Sequence, residues 1–263
     1  MTHYLRLAAH SVRLQFHTWA QYRADYLAGC VGVLLEQATT LAILSIIFAN
    51  IPTAQGWTFP QMLIIFGFAR ASLGIADAIT ENLWWVGSYA HDGTLVQYLC
   101  RPVGVLYQLI FERVYFDRLL HSVLGVGLII YGASATGLAW SPAGALLALY
   151  LLGLGALVYI GLMIVSSALA IIFVIDSPIL LQSLWNLTEF AKYPTTLFSR
   201  PLLILFSSAL PLGFVGFYPA AALLGLYDPL ATALLATAVV GAFFGLSLLL
   251  WRSALLRYEG AGT

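Results

Sequence analysis

The sequence predicts an all-α polytopic membrane protein: six transmembrane helices, an N-terminal amphipathic interfacial helix, and a short re-entrant segment before the last helix. Three observations predict it. Of the 263 residues, 61% are hydrophobic and only 8% are Asp, Glu, Lys or Arg, where a soluble domain carries about 25% charged residues. The apolar residues are gathered into runs, and a helix needs about 20 of them to cross a hydrocarbon core. The basic residues are absent from alternate connections. So few charges cannot cover a soluble surface, so the apolar faces must meet lipid, where helices satisfy their own backbone.

The elements follow in order. Residues 3–22 are expected to form the amphipathic helix. His3, Arg6, His10, Arg13 and His17 lie on one stripe, and Leu5, Ala8, Ala9, Val12, Phe16 and Trp19 cover the opposing arc, the pattern of a helix in the headgroup layer. The histidines read as polar residues at an anionic surface, because neighbouring arginines disfavour a bound cation. The first 25 residues lack a continuous apolar stretch, so the first span is expected to serve as the insertion signal.

That span is expected over residues 26–48, closed by Asn50, Pro52 and Gly56, and the second over 59–85. The third is expected over 106–138, ended by Gly132-Ala133-Ser134 and Ser141-Pro142. The fourth, 143–175, stays apolar for about 50 Å of helix, longer than a bilayer core, so it must tilt, project or break. The fifth is expected over 201–217 and the sixth over 229–251. Between them Tyr218 to Leu224 is apolar but too short to span, which predicts the re-entrant piece.

Eleven basic residues set the orientation. With both ends inside, ten of them fall on the cytoplasmic side. Loops 50–58, 132–141 and 218–228 contain no Lys or Arg, the asymmetry of the positive-inside rule.

The exceptions to the apolar spans are informative. Glu36 falls near the middle of span one and Arg70 near the middle of span two, with Asp77 and Glu81 further along. A lone charge there costs about 2.5–3.5 kcal/mol on insertion scales, so these groups should be paired or face a cavity. A Glu36–Arg70 pair between adjacent, oppositely directed helices is expected. It serves either as a clamp between helices or, with Asp77 and Glu81, as the polar lining of a translocation path.

Other chemistry is missing from the sequence. There is no GxxxxGK[ST] phosphate loop, HExxH, GxSxG or CxxC motif, so no catalytic residue, no metal site and no cofactor bound by this chain is expected. Cys30 and Cys100 fit no metal spacing. Zero net charge leaves no footprint for nucleic acid.

The segment Asp92-Gly93-Thr94-Leu95-Val96-Gln97-Tyr98-Leu99-Cys100-Arg101-Pro102 resembles the G-T-L-D-x-L-L-x-R-P signature of permease subunits of ATP-binding-cassette exporters of the second type. Phe190 to Pro194 (FAKYP) and Leu210 to Ala220 (LPLGFVGFYPA) look like that family's late segment, and Leu255 to Gly262 (LLRYEGAG) looks like its closing RYESxG. Gln97 and Cys100 depart from common family residues without breaking the pattern. The resemblance implies a multi-pass permease of a bacterial inner (plasma) membrane, with both termini cytoplasmic. It implies a dimer with itself or a sister permease, and a separate ATP-binding-cassette ATPase dimer that binds ATP and Mg. A coupling helix would lie at about Ser88 to Leu99, ended by Arg101-Pro102, since a residue before proline avoids the α conformation. Tyr89, Leu95 and Leu99 would fill a socket on the ATPase, while His91, Asp92 and Gly93 shape its polar turn. The cargo would be a hydrophobic or amphipathic small molecule, such as a drug, dye or lipid-like compound. The rival reading is an ion- or proton-coupled secondary transporter or channel, whose internal repeat the sequence lacks.

Overall fold

A computed structural model describes residues 23–174 and 178–258. The helix expected over residues 3–22 lies outside the described residues. Every regular element among the described residues is helical.

Helix α1 covers Arg23–Asn50. A tight turn follows, with positive φ at Gln55 and Gly56 and an isolated bridge between Ala54 and Trp57. Helix α2, Phe59–Thr80, starts with proline in its first turn, where the missing amide costs nothing. The Thr58 amide donates to Gln61 Oε1 at 3.0 Å. The chain does not stop at Thr80. It tightens into a 3-10 turn, Glu81–Trp85, and continues as α3, Val86–His91. The second span therefore extends six residues past its expected end at residue 85, as one 33-residue apolar rod from Phe59 to His91.

Helix α4, Leu95–Leu99, and helix α5, Val105–Glu112, lead to a break and then to α6, Leu119–Ala135. The expected continuous third span over 106–138 is thus corrected to two pieces. Four charged residues, Glu112, Arg113, Asp117 and Arg118, fall at the break, where Arg113 is extended and the Tyr115 amide donates to Ala78 O at 2.9 Å. Helix α6 has 17 residues, about 25 Å at 1.5 Å per residue and a little short of a bilayer core.

Helix α7, Pro142–Phe173, is a continuous 32-residue helix capped by Ser141, whose side chain accepts from the Gly144 amide. Between Pro178 and Leu223 the backbone is repeatedly interrupted. It forms α8 (Pro178–Asn186), 3-10 turns at Leu187–Lys192 and Thr195–Leu197, α9 (Arg200–Ser207), a 3-10 turn at Leu212–Phe214, and α10 (Phe217–Leu223). The expected fifth span over 201–217 is a bent pair, with 68° between its two arms. Ser208 leaves helical geometry and Pro211 has no amide to donate, which breaks a helix there. Helix α10 corresponds to the short apolar piece expected before the last span. Helix α11, Pro229–Arg257, closes the fold, capped by Asp228.

Four helices among the described residues are long and apolar enough to cross a membrane, or five if the bent pair counts as one. Six spans therefore remain an expectation that depends on α6 and on the bent pair.

Packing centres on α2, α6 and α7. Gly67 and Gly74 of α2 and Gly125 and Gly132 of α6 are spaced by seven. A Cβ at Gly67 would come within 2.7 Å of Gly125 O, and one at Gly125 within 2.5 Å of the Ala71 amide. Only glycine lets the two backbones approach so closely. Ser122 Oγ donates to Ala71 O at 2.8 Å across this seam, and Ser72 Oγ donates to Leu152 O at 3.1 Å toward α7.

Candidate functional site

Two regions hold the expected functional residues. The first is polar and lies among the long helices. Arg70 is buried in the tightly packed face of α2, and its Nη1 donates to Glu36 Oε1 at 2.6 Å. The pair expected from the sequence is therefore formed. Its members are unequal: the Arg70 side chain is 2% exposed and that of Glu36 is 50% exposed. Arg70 also lies over the Phe66 ring at 5.3 Å.

Two residues the sequence reading passed over complete this cluster. Gln37 Nε2 donates to His121 Nδ1 at 3.0 Å, which turns the His121 Nε2 edge toward Glu36 Oε2, 4.0 Å away. Gln37 is 3% and His121 2% exposed. Both are neutral residues inside apolar runs. The available signal was burial demand: a polar side chain within a span needs a partner. Gln37 Oε1 and Arg70 Nε are buried with no hydrogen-bond partner among the described residues.

Glu81 and Asp77 do not join the Arg70 pair. Arg118 Nη2 donates to Glu81 Oε1 at 3.2 Å, and Asp117 lies 3.8 Å from Arg118. Asp77 is buried one helical turn before Glu81. A further pair lies on the 3-10 turn Leu187–Lys192, which packs against α2 near Ile65: buried Lys192 donates to Glu189. Among the described residues no group of His, Cys, Asp and Glu is arranged to hold a metal ion.

The second region is the hairpin of α3 and α4. Gly93 turns the chain with φ 76°, a conformation that costs an L-residue but not glycine. His91, Asp92, Val96, Gln97, Leu99, Arg101 and Pro102 are exposed. Leu95 is fully buried in the chain's own core, so it has no surface to offer a partner, contrary to the sequence expectation. With a helix of only five residues, periodicity gave no way to tell its inner face from its outer one. Val96, not singled out before, occupies the outer face with Leu99.

The hairpin is braced from behind. Tyr89 stacks on Tyr98 with ring centroids 5.8 Å apart, and the Tyr98 hydroxyl donates to Glu112 Oε2 at 2.7 Å. Burial, then the bond to Glu112, pushes the Tyr98 phenol up from its ordinary range, so it remains a donor. Gln108 Nε2 donates to Tyr98 O at 2.8 Å and to Val103 O at 2.6 Å. Arg101 lies over the Tyr98 ring at 5.6 Å. The Tyr258 hydroxyl donates to Ala90 O at 3.1 Å, tying the end of the last helix to the hairpin. The exposed side chains of the hairpin therefore sit on a knob braced at its base and continuous with α2.

A family described as ABC-2 family transporter protein has a model that matches residues 34–262. No curated protein and no solved structure matches the chain.

Proposed function

For a chain that belongs to the ABC-2 transporter family, we propose the role of membrane permease in an ATP-driven exporter, powered by a separate ATPase dimer at the cytoplasmic surface. The cargo is a hydrophobic or amphipathic small molecule. A second permease, a copy or a sister subunit, completes the path, and the assembly sits in a bacterial inner membrane with the termini inside.

The observation that carries this reading is the α3–α4 knob. A rod of 33 residues runs from Phe59 to His91, with Arg70 in its interior and the exposed hairpin at its end. Thrust delivered by an ATPase at Val96 and Leu99 passes along a packed helix to the Arg70–Glu36 pair without crossing a flexible joint. Tyr98, Gln108 and Tyr258 keep the knob from folding away under load. Glu36, half exposed at the middle of α1, supports a polar path on that side, because a carboxylate turned to lipid is costly.

Copurification tests the role. Tagged permease is expected to bring down a nucleotide-binding subunit whose ATP hydrolysis responds to the permease. A Leu99→Asp variant is expected to keep its fold and lose that response. Stable, correctly inserted permease that never binds such a subunit would refute the reading.

A further inference from the structure

The two ion pairs facing the proposed path share one arrangement. In each the cation is buried and the carboxylate is turned outward: Arg70 is 2% and Lys192 5% exposed, against 50% for Glu36 and 60% for Glu189. The 3-10 turn Leu187–Lys192 packs against α2, the helix that carries Arg70, so both pairs border that helix. Each hides its positive end and presents its negative one.

Aromatic rings flank Glu189. Phe190 and Tyr193 are exposed beside Glu189. Phe190 is held by Phe206, 5.3 Å away and stacked, and by Phe198, 5.6 Å away and edge-on. Ring faces carry partial negative charge and attract cations, most strongly where water is excluded.

We propose that this surface recognises lipophilic organic cations, so that the exporter's cargo is a permanently or readily charged amphipathic cation. The inference rests on the reading that this face lines the path. Neutralisation within each pair does not cancel the preference. A cation about 4 Å from the carboxylate stands some 3 Å further from the buried partner. At an effective dielectric constant near 20 the net attraction is on the order of tenfold in affinity per pair. An anion of the same shape meets the same geometry with the sign reversed, and the rings add to the difference.

Tetraphenylphosphonium and tetraphenylborate test this, because they share size and shape and differ in charge. Binding is measured to the permease, assembled with its ATPase in lipid nanodiscs and corrected by empty nanodiscs. Tetraphenylphosphonium is expected to bind at least tenfold more tightly than tetraphenylborate. Glu189→Gln is expected to weaken the cation about tenfold, and Glu189→Asp to retain it. Phe190→Leu, which leaves the ion pair untouched, is expected to weaken it a few-fold and serves where Glu189→Gln does not fold. Equal or tighter binding of the anion, or a cation affinity unchanged by both Glu189→Gln and Phe190→Leu, overturns the proposal. The binding assay needs no ATP, which separates the two readings. Glu189-dependent cation binding without ATP-driven uptake in any vesicle refutes the exporter and leaves the cation site standing. ATP-driven uptake of tetraphenylborate alone does the reverse.

Discussion

Helices α1 and α2 are alike in sequence and opposite in surroundings. Both are long and apolar, and both carry a charge near the middle. Yet α1 is largely exposed, whereas the rod that α2 begins is largely buried. Hydropathy describes the solvent a helix tolerates and is silent about its neighbours. The neighbours are set by small residues at matching heights. Gly67 and Gly74 meet α6 backbone, whereas Gly32 of α1 has open space around it. Helix α1 is joined to the rest through side chains: Glu36 to Arg70, Gln37 to His121, and Leu41, Leu44 and Phe48 against the apolar cluster beside α2. One helix belongs to the scaffold through its backbone, and the other is fastened to it by side chains.

The largest test of that contrast puts one substitution in both helices. Gly67→Leu drives a side chain into the Gly125 carbonyl and is expected to cost more than about 3 kcal/mol, beyond ordinary overpacking, read as loss of folded protein by thermal unfolding in detergent. Gly32→Leu in α1 is expected to leave the unfolding temperature unchanged. Equal effects would erase the distinction.

Next is the fastening itself. Glu36→Ala leaves Arg70 buried and unpaired and is expected to destabilise by about 3 kcal/mol. The double variant Glu36→Leu/Arg70→Met is expected to recover most of that loss, since apolar side chains of similar volume replace a buried pair at little cost. A double-mutant cycle in unfolding measures the coupling, and additive losses would mean the pair holds nothing.

A smaller effect is expected at the knob. Gln108→Ala removes two bonds to backbone carbonyls behind the hairpin, about 1–2 kcal/mol. Hydrogen exchange at Tyr98 to Leu99 should quicken in that variant while exchange in α6 stays slow. Leu99→Asp, on the exposed face, is expected to change stability by less than about 0.5 kcal/mol while abolishing the ATPase response.

The sequence made much of this legible, for physical reasons. Hydropathy over about 20 residues located α1, α2, α7 and α11, because lipid demands an unbroken apolar run. Two opposite charges at similar depth in neighbouring antiparallel helices could be paired before any coordinates. The break at 113–118 was hidden, because apolar flanks masked its charges; at 208–211 Pro211 signals a bend, since it removes an amide donor, and only the earlier departure of Ser208 from helical geometry was hidden. Gln37 and His121 escaped notice since, being neutral, they raise no alarm in a charge count. The inward turn of Leu95 depended on tertiary packing against the core, to which a five-residue helix offers no periodic clue.

In the proposed exporter, Glu36 and Arg70 give the face its polar character, and the knob connects it to an energy source. The most direct test of that connection uses the exposed native thiol of Cys100 at the base of the knob. A benzophenone maleimide attached to Cys100 in native membranes, then irradiated, is expected to yield a covalent adduct with a nucleotide-binding subunit, absent in Cys100→Ser. Irradiation of fully labelled, folded permease that gives adducts with lipid or other proteins, and none with a nucleotide-binding subunit, would contradict the account.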